Sequence, residues 1–270
     1  MKFYFFYLLF IIFISTNSLN FPNYNVKNNL VSNFHVRNKS ILNNHKLHID
    51  NRIVNYENKL RGNMINSLLF GSWLIHESSL LMYYDISFHS VSESVCHIFL
   101  LIWQYVGLFI ISHDLHHAEN PNLYQQILGR LSLLFYGGFL LEDFSSNHQK
   151  HHKYPGVVGK DPDFDDGHPI VWYLKFMKRY LNVNQLIILV TMGFSLNMII
   201  TDPNNLYLFW MFPSLLASIQ LFYYGTYLVH KEEGVIVNSK LPKKLITLTS
   251  YNFGNHKEHH DNPKTPWFDL

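Results

Sequence analysis

Three short stretches concentrate the side chains able to do chemistry. His148-Gln149-Lys150-His151-His152 and His256-Lys257-Glu258-His259-His260 each carry histidines at i, i+3 and i+4. His113-Asp114-Leu115-His116-His117 carries a pair at i and i+4. At 3.6 residues per turn these positions share one helix face, so each stretch aims its imidazoles in one direction. A single triplet is weak, because isolated surface histidines are common. Three clusters in one apolar chain point to a metal site.

Counting His113, His117, His148, His151, His152, His256, His259 and His260 gives eight candidate ligands. A structural zinc takes about four, usually with cysteine, and the chain has one cysteine, Cys96. Eight imidazoles suit two metals of about five or six ligands each. Imidazole serves iron, zinc, copper and nickel alike, so ligand type alone does not name the metal. His230, at the end of the last apolar stretch, is a ninth candidate; the plainer alternative for it is an interfacial histidine. Carboxylates that accept from the other ring nitrogen fix a ligating imidazole in place. Asp114, Asp161, Asp163 and Glu258 are the candidates for that catalytic support, with a solvated acidic loop as the alternative. His116 is out of phase with its neighbours and is left out of the ligand set. His76, Glu77 and His97 belong to no cluster and read as interhelical hydrogen-bonding groups.

These clusters need a scaffold, and the composition indicates what kind. Of 270 residues, 48% are hydrophobic, 16% aromatic and only 15% charged, against about 25% charged in soluble domains. The expected fold is an all-α integral membrane protein. The net charge of +2 is too small to point to nucleic acid. Spanning helices are expected at 64–84, 94–112, 184–201 and 206–229, each near the roughly 20 residues a bilayer requires. They form two hairpins, the second closed by the turn signature Asp202-Pro203-Asn204-Asn205. A fifth apolar stretch, 123–141, contains Gly129, Arg130, Gly137 and Gly138. A full crossing there would separate the first two clusters, so it is expected to be re-entrant or interfacial. A histidine-rich cap with a di-metal site then lies on one face. The hairpin tips 85–93 and 202–205 carry no Lys or Arg, whereas Lys150, Lys153, Lys160, Lys175, Lys178 and Arg179 lie toward the histidines. The positive-inside rule puts that face on the cytosolic or stromal side.

The N-terminus reads as an address. Lys2 precedes an apolar run over 3–14 and a small polar group, which resembles a signal peptide over 1–18. Residues 19–61 are Asn-rich, basic and poor in acids, like an organellar transit segment. Together they imply a plastid membrane reached through the secretory route, with the endoplasmic reticulum membrane as the alternative. Residues 62–270 are left as the catalytic domain.

The ordered motifs resemble a known family. They are His113-Asp114-x-x-His117, Asn120-Pro121, Tyr136-Gly137-Gly138, His148-x-x-His151-His152, Pro155 and Asp161-Pro162-Asp163-Phe164. Gly225-Thr226-Tyr227-Leu228-x-His230 and Phe253-Gly254-x-His256-x-Glu258-His259-His260 follow, and Pro263 and Pro266-Trp267 close the series. The histidine boxes resemble the membrane desaturase and hydroxylase superfamily. The Asp-Pro-Asp-Phe stretch and the Pro-Trp end are similar to the carotenoid 4-ketolases. Val229, Asn252, Asn255 and His116 depart from the usual pattern without removing a predicted ligand.

The resemblance implies two non-haem irons held by the nine histidines, dioxygen as co-substrate, and a lipophilic carotenoid entering from the lipid bilayer. It implies two successive hydroxylations at ring carbon 4, giving a gem-diol that loses water to a ketone. No dinucleotide fingerprint or haem domain is visible, so a separate electron-donor protein, ferredoxin in a plastid, is expected. Two readings compete: another superfamily oxygenase (a fatty acyl desaturase or carotenoid hydroxylase), and a non-catalytic membrane metal-binding protein.

Overall fold

The computed structural model describes residues 38–118, 120–230 and 232–270, with side chains from residue 59 onward. The expected signal peptide, and the expected transit-like segment as far as residue 37, lie outside the described residues. The chain divides into two units, Met1–Leu60 and Arg61–Leu270. In the first, residues 38–60 are helical, the opening turns of α1 (Asn38–Tyr83). The second holds every histidine cluster.

All regular elements among the described residues are helices. After α1 come α2 (Val91–His117), α3 (Leu123–Gly137), α4 (Leu141–Lys153), α5 (Pro169–Tyr180) and α6 (Val183–Asn197). The long helix α7 (Pro203–Tyr227) and the short helices α8 (Lys243–Ser250) and α9 (His256–Asp261) complete the order.

Helix α2 is the axis. Ser90 and Glu93 form a reciprocal capping box at its start, which satisfies two of the N–H groups a helix leaves unpaired. Its second half is buried nearly all round: Leu101, Tyr105, Val106, Leu108 and Ile111 are fully enclosed. A helix apolar on every side belongs at the centre of a bundle, and α2 packs mainly on α3 and α7. Its polar residues are paired across helices. His76 Nδ1–H donates to Gln104 Oε1 at 2.8 Å, His97 Nδ1–H donates to His76 Nε2 at 3.0 Å, and Tyr105 O–H donates to Glu77 Oε1 at 3.1 Å. These are the interhelical bonds expected of His76, Glu77 and His97.

Among the described residues two helices, α2 and α7, are long and apolar enough to cross a membrane. The four expected spans are not all reached by this measure. The C-terminal part of α1 carries Asn66, His76 and Glu77 among its apolar residues, and α6 stops after 15 residues. Helix α3 also has 15 residues, about 22 Å at 1.5 Å per residue, short of the roughly 30 Å hydrocarbon layer. It ends at Gly138, whose φ of 71° a side chain would disfavour.

The turn between α6 and α7 is fastened to the end of α1. Asn205 Nδ2 donates to the carbonyls of Leu80 and Tyr84 at 3.1 and 2.8 Å, and Thr201 Oγ1 donates to that of Met82. The helix-pair tips meet at the end of the bundle remote from the histidines. Large apolar side chains, including Leu68, Phe99, Val190, Phe194 and Met198, are left exposed around the bundle.

Helix α7 is wound more loosely in two places. Over Leu206–Met211 it takes π geometry, and the Phe212 N–H reaches back to the Tyr207 carbonyl. Pro213 follows, with no N–H to donate and a ring that crowds an ordinary turn. The second π stretch, Tyr223–Tyr227, contains Gly225. A Cβ on Gly225 would run into the Phe253 ring. That ring in turn packs on Phe109, His113 and His256. Gly225→Ala is therefore expected to displace Phe253 and to destabilise the fold by about 1–3 kcal/mol through overpacking. A lowered unfolding midpoint in detergent, together with reduced metal content, is the readout; an unchanged midpoint would contradict it.

Candidate metal centre

The predicted ligands come together at the end of the bundle opposite the hairpin tips. They divide into two sets. His113, His117, His148 and His259 form one, and His151, His230, His256 and His260 the other; within each set the ligand atoms all lie within 4.8 Å of one another. Nitrogens bound at about 2.0–2.1 Å to one metal lie roughly 3 Å apart in cis positions and roughly 4 Å apart in trans. In the first set His117 Nε2 is 2.7 Å from His148 Nε2. In the second, His151 Nε2 is 3.1 Å from His256 Nε2 and 2.8 Å from His260 Nε2.

The helical spacing explains the division. Positions i and i+4 lie within about 40° of each other around a helix, while i+3 lies to the other side, about 60° from i and about 100° from i+4. On α4, His148 and His152 turn toward the first set and His151 toward the second. On α9, His256 and His260 serve the second and His259 the first. His152 belongs to neither four-membered set, yet its Nε2 is 3.1 Å from both His148 Nε2 and His259 Nε2. Its ring also stacks on His260, so it stands between the two sets.

Hydrogen bonds at the far side of two rings fix which nitrogen is free. His151 Nδ1–H donates to Asp161 at 3.0 Å, and both groups are fully enclosed. Asp161 also accepts from the N–H groups of Gly156 and Asp163 at 2.7 and 2.8 Å. His230 Nδ1–H donates to the Thr226 carbonyl at 3.0 Å, a bond delivered by the last turn of α7. Each leaves Nε2 as a bare lone pair facing inward. Nε2 of His113 and of His230 are buried with no hydrogen-bond partner in the protein. Orphaned inward-facing nitrogens are costly unless a ligand is held there, and the donor set fits a metal.

The charge state agrees. Burial first, and then repulsion between neighbouring imidazoles, holds His148, His256 and His260 well below the ordinary histidine value. Burial also lowers His152 and His230 to about 4 each. Neutral imidazole, the form that binds metal, is therefore the resting state at neutral pH. His151 is the exception. Burial lowers it, but the carboxylates of Asp163 and Asp161 more than offset this and leave it raised. Burial pushes Asp163 up to about 6, despite the nearby His151.

The Asp161-Pro162-Asp163-Phe164 stretch is held rigid from α5. Arg179 donates to the carbonyls of Pro162 and Phe164 at 3.0 and 2.9 Å, and pairs with Asp165. Trp172 Nε1 donates to the Asp163 carbonyl, and Tyr180 O–H to its carboxylate. Phe164, Trp172 and Phe222 form the apolar seam beneath. Gly156, at φ 68°, accepts the Gly234 N–H and so ties the loop after α4 to the loop after His230.

The other predicted carboxylates are placed differently. Asp114 Oδ2 accepts the Trp267 N–H at 2.8 Å, while its other oxygen is a longer 3.4 Å from His113 Nδ1. It anchors the C-terminal segment to α2. Glu258 is exposed and accepts from Asn238. It lies two residues from His256, about 200° around α9, and so points away from the imidazoles; the orienting role expected of it has no contact to support it. His116 faces Ser145 at 3.0 Å and is in neither set. Arg179, Tyr180 and the Thr226 carbonyl were not singled out from the sequence. Only the nearness of the first two to the acidic motif hinted at them, and a backbone carbonyl leaves no residue-type signal.

An apolar cavity of about 200 Å³ opens onto His148, His151 and His256, ligands from both sets. Phe109, Phe139, Phe144, Phe176 and Phe253 line it.

A β-carotene ketolase of Paracoccus sp. is 32% identical over 219 residues, covering 77% of this chain and 89% of that protein. The chain belongs to the β-carotene ketolase family. A ketolase of Haematococcus lacustris is 33% identical over 66% of this chain and 62% of its own length. A zeaxanthin 4-ketolase of Chlamydomonas reinhardtii is 33% identical over 64% of this chain and 42% of its own. Residues 92–188 match the fatty acid desaturase family, placing the ketolases in that superfamily. No solved structure matches. In this ketolase-family chain the segment that matches the desaturases carries the first five predicted ligands, His113 to His152.

The two sets predict separable metal losses. The purified chain is expected to bind about two metal ions, and His256→Ala about one, whereas His116→Ala keeps both. Elemental analysis of the three proteins decides it, and equal losses in the two variants would overturn the partition. Asp161→Asn keeps the volume but removes the charge that fixes His151. It is expected to weaken metal binding by about 10–100-fold, read by chelator competition.

Proposed function

We propose that the chain is a di-iron, dioxygen-dependent membrane oxygenase that places a keto group at ring carbon 4 of a carotenoid. The reactions are β-carotene to echinenone and canthaxanthin, or zeaxanthin to astaxanthin. The observation that carries this reading is the apolar cavity opening onto histidines of both sets. Family membership supplies the substrate class, because the relatives' names are those of β-carotene and zeaxanthin ketolases.

His113, His117, His148 and His259, with His152 beside them, would hold one iron, and His151, His230, His256 and His260 the other. Bound there, the irons would supply dioxygen activation. The protein's own residues do the rest. Phe109, Phe139, Phe144 and Phe253 seat the apolar ring and keep bulk water from it. Phe144 stacks on His148, fixing both the wall of the cavity and the angle of a ligand. Asp161 keeps the proton of His151 at Nδ1, and the Thr226 carbonyl does the same for His230. Neither imidazole can then turn its lone pair away.

In this reading α1 and α2 form one transmembrane hairpin, α6 and α7 the other, and α3 rides at the interface. The exposed apolar residues around the bundle face lipid, and a polyene partitions into the same medium. The histidine end carries exposed Lys150, Lys153, Lys160, Lys240 and Lys257, a surface suited to an acidic electron donor such as ferredoxin. A plastid membrane is the proposed location.

The test is pigment analysis of cells that make β-carotene and express the full chain. Echinenone or canthaxanthin should accumulate, and should be absent in the His151→Ala variant. Unchanged carotene alongside well-expressed, iron-loaded protein would refute the reading; new carotenoid alcohols or altered acyl unsaturation would point to the other oxygenases of the superfamily.

A further inference from the structure

Gln185 lies in the first turn of α6, where its N–H is capped by Asn182 Oδ1 at 2.9 Å. Its side chain turns inward, is 4% exposed, and lines the apolar cavity. Nε2 donates to the Gly137 carbonyl at 2.7 Å. That bond fixes the orientation of the amide, because the flipped form would set two oxygens against each other. Oε1 is therefore directed elsewhere, and it is buried with no hydrogen-bond partner in the protein. Among the described residues that line the cavity, two own such an orphaned atom, Gln185 and His256, and His256 belongs to the histidine sets. Several other polar groups of the wall are engaged. Tyr180 donates to Asp163, Ser214 to the Met211 carbonyl, and Ser218 to the Leu215 carbonyl.

An acceptor kept unpaired in an apolar chamber disfavours a plain hydrocarbon occupant and rewards one that brings a donor. The complementary donor is neutral and small, because the surrounding wall is aromatic and aliphatic. A hydroxyl on an otherwise apolar ring meets that description. We propose that Gln185 is a specificity-determining residue whose Oε1 accepts a hydrogen bond from a ring hydroxyl of the substrate. The chain then favours carotenoids that are already hydroxylated. This rests on the ketolase reading above, and it adds an order of events: a ring hydroxylation supplies this enzyme's preferred substrate. A site built to pair a hydroxyl discriminates against the analogue that lacks it, since the acceptor is then left bare.

The test compares turnover of β-carotene and of zeaxanthin, its ring-hydroxylated counterpart, by the full chain in membranes with a reducing system. Wild type should favour zeaxanthin by about tenfold in kcat/KM. Gln185→Leu should abolish that ratio chiefly through loss on zeaxanthin. Gln185→Glu, neutral when buried, keeps an O–H for Gly137 and a carbonyl for the substrate, and should retain the ratio within about threefold. A purely structural role through Gly137 would lower turnover of both substrates together in Gln185→Leu, and that result overturns the proposal. So does a wild type that converts β-carotene as readily as zeaxanthin, a comparison that decides even if the leucine variant fails to fold. Conversion of neither pigment would instead refute the ketolase reading, and this inference with it.

Discussion

Ring nitrogens of histidines facing one another across about 3 Å set the terms for the whole of this protein. Where one of the two carries a hydrogen the pair is an N–H···N bond; where both carry lone pairs, as Nδ1 donation leaves His151 and His230, they repel, and burial keeps water from separating them. Protonating one ring of a pair would relieve it, but the burial of His148, His256 and His260 opposes the charge. A cation among the nitrogens resolves the conflict without protonation. The surrounding helices hold the rings close enough to receive that cation, and every support described above acts against their drifting apart.

Those supports come from separate parts of the chain. Asp161 fixes His151, and is itself fixed by backbone N–H groups and by the Arg179 clamp on its loop. Thr226 fixes His230 through the loosened end of α7. Gly225 admits Phe253, whose ring backs His113 and His256. Asp114 ties the C-terminal segment to the central helix next to a ligand. No single contact here is large. Their number matters because a ligand set tolerates little displacement of any member.

Much of this was legible in the sequence because helical periodicity and ligand chemistry coincide. Histidines at i, i+3 and i+4 announce both a helix and a site, and the need for the clusters to meet constrained which apolar segments could cross. The assignment of each ring to one set or the other was not legible. It depends on how α4 and α9 are rotated about their axes, which spacing alone does not specify. Glu258 shows the same limit from the other side: its nearness in sequence to three histidines suggested a role, but two residues along a helix is most of the way to the opposite face. Of the four expected spans, those on α2 and α7 are long and apolar enough by themselves; in α1 polar residues interrupt the apolar run, and α6 is short.

The polar residues sort by whether they are paired. His76 pairs with Gln104 and His97, and Tyr105 with Glu77, between α1 and α2, and these bonds hold the scaffold. Nε2 of His113 and of His230 and Oε1 of Gln185 are left bare, and each lies at the site or on the wall of its cavity. A buried group without a partner lowers stability, so a fold that keeps one beside a cavity has arranged its interior around something that arrives later. In the function proposed above, that partner is a cation for the histidines and a neutral donor for Gln185. Other buried atoms also lack partners elsewhere in the fold, among them Asn66 Oδ1, Glu77 Oε2 and Asn205 Oδ1, so it is the position beside the site, and not the missing partner alone, that marks these three.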